Sequence, residues 1–430
     1  TVNSDGTQRA LTVTNGTGDT TFSGAIGGSA PVKSLTITSD QLTAGAITLN
    51  GALTATLGGS SSITGVIANG ASTANLVKAG SGTLTLSGAN TYTGTTTINA
   101  GDLTVSGSLH DSTAVTIASG ADYNVNASDT VASIEGAGNI VIASSQTLTA
   151  GDGNDKTLSG VISGAGNYIK AGSGTQTLSA SNTYTGTTQV SAGTLTVSGS
   201  GRLSDSTAVT VDSGAVYNVA VSDTVASIAG AGSITLGSNT LTSGGSDAST
   251  TFSGVISGTN GNIIKAGTGT LTLTGNNSYT GSTTISAGLL KIIRDDPTSY
   301  LAATSGFTGP GNLTIESSGD DFTADIVTGT HVQLAGTALG NLIIGKTGNT
   351  RQIDLSSDIT TTGTQTYNGP VRLVGGDRTV STTNSNVIFA STVNSDGTQR
   401  ALTVTNGTGD TTFSGAIGGS APVKSLTITS

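Results

Sequence analysis

Residues 1–39, TVNSDGTQRALTVTNGTGDTTFSGAIGGSAPVKSLTITS, recur without change at 392–430, an offset of 391 residues. Identity over such a length does not arise by chance. The chain is therefore expected to be one unit of a tandem array of 391-residue repeats plus the opening of the next copy. A finer repeat lies inside the unit. GSGTLTLSGANTYTGTTTINAGDLTVSG at 80–107 matches GSGTQTLSASNTYTGTTQVSAGTLTVSG at 172–199 in 21 of 28 positions, and a third copy stands at 267–292. Lys78, Lys170 and Lys265 mark its spacing, 92 and then 95 residues. The linking stretch repeats as well, since DSTAVTIASGADYNVNASDTVASIEGAG returns as DSTAVTVDSGAVYNVAVSDTVASIAGAG. A sandwich or barrel closes within one domain, whereas continuous fine repetition lets each unit bury its apolar face only against its neighbours. That arrangement is a solenoid.

Within the repeats apolar residues alternate with polar ones, as in Leu84 and Leu86, Leu103 and Val105, Val115 and Ile117, Tyr123 and Val125, Ile140 and Ile142. Period two is the strand signal, because successive side chains point to opposite faces. Gly, Asn, Asp and Ser stand between the pairs and supply turns. No stretch carries a 3.6-residue apolar period, so the expectation is an all-β chain, a parallel β-helix with three short strands per coil. If four coils filled the 92-residue repeat, each coil would hold about 23 residues and stack at ~4.8 Å. Leu, Val and Ile would fill the bore, with Thr outside. The stretch 1–292 reads as β-helix with the three repeats, 293–325 as an irregular excursion or junction, and 326–430 as β-helix continuation.

Composition narrows the function. The chain has no Cys and only two His, His110 and His331, which disfavours disulfides, thiolate sites and histidine clusters. Its net charge of −10 is thinly spread and leaves no basic stripe for nucleic acid. No apolar run approaches the ~18 residues of a span, so this segment is not expected to insert in a membrane. Thr1 follows neither an initiator Met nor a signal segment, as expected for a piece of a longer, processed protein.

The run SGTLTLSGANTYTGTTTINAGDLTVSG resembles the passenger-associated repeat of bacterial autotransporter adhesins, and ITTTGTQTYNGPVRLVGGDRTV at 359–380 is similar to repeat regions of filamentous-haemagglutinin-type giant adhesins. The resemblance implies a right-handed parallel β-helix, secreted and displayed at the bacterial cell surface. Its implied work is structural and adhesive, in surface attachment, cell–cell cohesion or biofilm. Further copies of the repeat, joined end to end, and surface glycans or neighbouring fibres are the partners expected.

Three groups of residues are candidates for more than architecture. Asn90-Thr91-Tyr92-Thr93-Gly94 and its copies at 182–186 and 277–281 could present Tyr92, Tyr184 and Tyr279 to glycans. The structural alternative makes Gly94, Gly186 and Gly281 a positive-φ corner, with Asn capping it and Tyr covering the coil edge. Asp152 and Asp155 resemble part of a calcium-binding nonapeptide, but the stretch lacks that motif's first glycine and any tandem copy, so a polar turn is the expectation and calcium the weak alternative. Residues 291–325 gather Lys291, Arg294, Asp295, Asp296, Tyr300, Glu316, Asp320 and Asp321 between Pro297 and Pro310 or near them. Paired carboxylates there could serve a polysaccharide lyase or glycosidase, against a solvated excursion. No GxSxG elbow with a His partner exists, and the expectation is no cofactor, no catalytic residue and no enzyme. A carbohydrate-binding β-helix is the alternative.

Overall fold

The computed structural model describes residues 1–296, 306–334 and 339–429, and those residues form strands and turns without a helix. They divide into two compact units, Thr1–Val221 and Ser222–Ser430.

In the first unit the strands stack in parallel on three faces. One face is traced by Thr83–Leu86, Gly101–Val105, Ala121–Val125 and Asn139–Ile142, so Leu84 lies under Leu103, then Tyr123, then Ile140. A second runs through Asn75–Ala79, Thr96–Ile98 and Ala114–Ile117. A third runs through Asp129–Val131, Thr147–Ala150, Asn167–Lys170 and Thr188–Val190. The all-β parallel solenoid expected from the alternation is what forms, because most strands find ladder partners in the coils before and after them.

In this unit the coils are shorter than the sequence suggested. The pairing chain Lys78, Ile98, Ile117, Gly136, Leu158, Leu178 takes five steps to cover 100 residues, 20 per coil rather than 23. Consequently the 92-residue repeat is not a whole number of coils. Asn75–Ala79 lies on one face, and its copy Asn167–Lys170 lies on another; the strand that shares the first face is Thr175–Leu178, one strand later. Equivalent residues of these two repeats therefore face different ways.

The second unit is built alike, with Thr270–Leu273, Leu289–Ile293, Asn312–Glu316 and Leu342–Ile344 in one ladder. Its coils vary in length, from 19 residues between Leu271 and Leu290 to 29 between Leu313 and Leu342. Within the stretch read as an excursion, Asn312–Glu316 keeps its place in the ladder, while Pro297 and Tyr300 lie outside the described residues.

Inward residues form stacked rows with no solvent exposure, among them Leu84, Leu103, Tyr123, Ile140 and Ile162. Each buried aliphatic contributes roughly 1.5–3 kcal/mol. Further on, Tyr367 stacks on Phe389 at 5.2 Å and Phe389 on Phe413 at 4.9 Å, one ring per coil. Leu103→Ala is expected to cost about 2–5 kcal/mol in chemical denaturation. Thr104→Ala, one residue on and facing outward, should fall within about 0.5 kcal/mol of wild type.

Candidate functional site

The repeated NTYTG stretch sits where a coil's third side forms no strand, between Thr83–Leu86 and Thr96–Ile98. Asn90 takes the place of the missing ladder there. Its Oδ1 accepts the Ile67 N–H at 2.9 Å from the coil before, and its Nδ2 donates to Ser108 O at 2.8 Å in the coil after. Asn182 repeats the arrangement with Ile162 N at 2.8 Å and Arg202 O at 2.7 Å, and Asn277 accepts from Ile256 N at 2.8 Å. A side-chain amide carries a donor and an acceptor, so one Asn can staple three coils.

Tyr92, Tyr184 and Tyr279 are 0%, 0% and 2% exposed. The Tyr92 hydroxyl pairs with Thr96 Oγ1 at 2.5 Å and that of Tyr279 with Thr283 Oγ1 at 2.6 Å; Tyr184 pairs likewise with Thr188. Burial holds the Tyr279 phenol up at about 12. The rings fill the bore instead of covering its edge, and no ring face is open to a sugar. The glycines also differ from expectation. None of Gly94, Gly186 and Gly281 has positive φ. A Cβ on Gly94 would lie 2.2 Å from Ala74 O, and one on Gly186 2.1 Å from Gly166 O, so glycine is required by the closeness of the preceding coil.

Lys78, Lys170 and Lys265, which in the sequence served only to mark the spacing, are 0–1% exposed. The Lys78 ammonium donates to Ala79 O, Gly80 O and Ala100 O at 3.0, 2.8 and 2.9 Å. Lys170 and Lys265 bind the matching carbonyls of their own corners. Three N–H donors thus satisfy three carbonyls that the corner turns away from the ladder. Burial lowers the Lys78 pKa to about 8. The signal was present in the sequence, since Leu76 and Lys78 share a parity and hence an inward face.

Asp129, 3% exposed at the start of Asp129–Val131, accepts Leu109 N–H at 3.0 Å and the Tyr123 hydroxyl at 2.6 Å. Loss of solvent raises its carboxyl to about 6.

Asp152 is occupied by Asn154, whose backbone N–H donates at 2.7 Å and whose Nδ2 donates at 2.9 Å. Asp155 instead reaches Thr175 N–H at 2.7 Å in the following coil, which lowers its pKa. The two carboxylates are thus spent on different partners, one local and one axial.

Of the charged residues of 291–325, Arg294, Asp295, Asp296 and Glu316 line a cleft of about 690 Å³ together with Ser317, Ser318 and Lys346, while Lys291, Asp320 and Asp321 are not part of its lining. Lys291 pairs with Glu316 at 2.6 Å. Asp295 accepts the Ser318 N–H at 2.7 Å and its hydroxyl at 2.9 Å. Asp321 is held by the Thr350 hydroxyl at 2.6 Å and by the Thr350 N–H. These bonds depress both carboxyl pKa values, with the backbone bond leading for Asp295 and the hydroxyl for Asp321. Proton donation to a glycosidic oxygen needs a carboxyl raised toward neutrality, the opposite of what Asp295 and Asp321 show. Lys346 donates to Ser318 O and Gly319 O at 3.2 and 3.1 Å, closing the cleft's floor on itself.

The passenger-associated-transport-repeat family matches residues 76–105, 169–197 and 263–292. Each match runs from the strand bearing the buried Lys through the Asn staple and Tyr–Thr pair to the next coil's strand. The chain thus carries three repeats of the passenger-associated type. It is also similar to the adhesin BmaC autotransporter of Brucella suis biovar 1 (strain 1330), 34% identical over 146 residues, which is 31% of this chain and 4% of that adhesin. No solved structure matches.

Asp129 generates a pH signature. A carboxyl whose folded pKa exceeds its unfolded value contributes stability that is complete below the unfolded pKa and lost as pH rises through about 6. The stability of wild type relative to Asp129→Asn should therefore fall from about pH 4 to just above pH 6, by something on the order of 2–3 kcal/mol. Urea titrations of both chains across that range check it; a flat difference would contradict the buried carboxylate.

Proposed function

We propose that the chain is a structural and adhesive segment of a long bacterial surface adhesin, secreted and displayed outside the cell. The observation that carries the reading is that the matched passenger repeats spend their distinctive Lys, Asn and Tyr residues on the coil interior. The repeats build a scaffold, and contact with other surfaces is left to the outward Thr, Ser and Asn of the strands. The resemblance to an adhesin supports adhesion as the outcome. Many weak outward contacts on one scaffold gain strength by multivalency. Because the first two repeats lie on different faces, their outward residues are presented in more than one direction, which suits attachment, cohesion between cells and biofilm alike. The role is non-enzymatic in this reading: Asp295 in the cleft is held ionised by its bonds to Ser318.

The cleft favours a second reading, a carbohydrate subsite, since its lining mixes hydroxyls with Arg294 and Asp295. Display of the chain on a non-adherent bacterium distinguishes the two. The scaffold reading predicts increased adherence that survives Asp295→Asn and Ser318→Ala, with no release of reducing ends from polysaccharides. Adherence lost with Asp295→Asn would assign it to the cleft. No gain in adherence over undecorated cells would overturn the adhesive role.

A further inference from the structure

The 39 residues that occur twice are seen in this structure from both sides. Within each copy they fold alike: Ala10–Thr14 pairs with Ser34–Ser39 from Ala10↔Ser34 to Thr14↔Thr38, and Ala401–Thr405 pairs with Ser425–Thr429 from Ala401↔Ser425 to Thr405↔Thr429. The bridge Val2↔Ile26 likewise returns as Val393↔Ile417. The segment therefore closes its own coil whatever stands next to it.

Its neighbours differ between the copies. The first copy is covered on its following side. Ser34–Ser39 pairs with Ala52–Leu57, Leu35 facing Leu53 and Ile37 facing Ala55, and both Leu35 and Ile37 are fully buried. In the second copy the same residues, Leu426 and Ile428, are 37% and 47% exposed. The second copy is covered instead on its preceding side. Arg378–Ser381 pairs with Ala401–Thr405, burying Leu402 and Val404, and Phe413 stacks on Phe389. Leu11 and Val13, which correspond to Leu402 and Val404 in the first copy, are only half-buried.

We propose that the two ends are complementary halves of one junction, and that the open edge of Ser425–Thr429 is occupied by residues 40–57 of a further copy of this unit continuing in the same polypeptide. The register is fixed by the covered copy: Leu426 faces the next copy's equivalent of Leu53, and Ile428 that of Ala55. On the other side, an equivalent of Phe389 from a preceding copy stacks on Phe22, and an equivalent of Asp377, which bonds Ala401 N–H at 2.9 Å and Lys424 at 3.4 Å, reaches Ala10 and Lys33. Successive 391-residue units then join by an ordinary solenoid coil, with no linker between them. This inference does not depend on adhesion.

The chain has no cysteine, so a single introduced thiol reports one position. Ile428→Cys in the chain as it stands should react quickly with a maleimide. In a tandem polypeptide in which residues 40–430 are appended to Ser430, the same thiol should react at least ~100-fold more slowly and match Ile37→Cys. Appending residues 58–430 instead, which removes the covering strand, should restore fast reaction. The proposal is overturned if Ile428→Cys stays reactive in the full tandem, or if it is protected equally by both appended segments. Ile37→Cys, slow in every chain, verifies folding.

Discussion

Everything in this fold depends on parallel backbone pairing between one coil and the next. A coil of about 20 residues cannot bury its own apolar side chains; it does so only by lying in register on its neighbours, so that Leu84, Leu103, Tyr123 and Ile140 make one continuous row. The ladder has a weak point at each corner, where the chain turns and carbonyls or N–H groups lose their axial partners. An unmet buried group there costs about 1–3 kcal/mol. The Lys78 ammonium and the Asn90 amide stand at such points, the first satisfying carbonyls and the second bridging three coils. The repeated motif is in large part a set of repairs to the ladder.

Much of this was legible in the sequence. Alternation at Leu84 and Leu86 or Tyr123 and Val125 gave strands and their inward faces, and the nested repeats gave a solenoid. What alternation could not reveal was depth along irregular backbone. Tyr92 lies where no strand sets a parity, so its inward course could not be read, and its polar hydroxyl suggested a surface role that Thr96 in fact satisfies internally. Gly94 looks like a positive-φ corner in sequence because a sequence does not show how near the preceding coil passes. Coil length is hidden for a related reason: a 92-residue period invites division into whole coils, yet nothing requires a sequence repeat to end on the face where it began.

That offset has a functional consequence. A repeat that returned to one face would build a single stripe of identical outward residues, suited to a flat, periodic ligand. Repeats that return on different faces distribute those residues around the axis of the first unit. The interior stays strict while the outside is free to vary, since Thr, Ser, Gln and Asn interchange between copies at outward positions such as Thr97 and Gln189. Scaffold and contact surface are thereby separated at the level of single alternating residues.

The central claim, parallel in-register coils, is tested most directly by cross-linking. Thr85 lies opposite Thr104, and Thr104 opposite Asn124, all facing outward. In a chain without native cysteine, the pair Thr85→Cys and Thr104→Cys should oxidise to a disulfide in the folded protein, because adjacent strands lie ~4.8 Å apart. The pair Thr85→Cys and Asn124→Cys, two coils apart, should not. Absence of the first cross-link, or equal formation of both, would contradict the stacked solenoid.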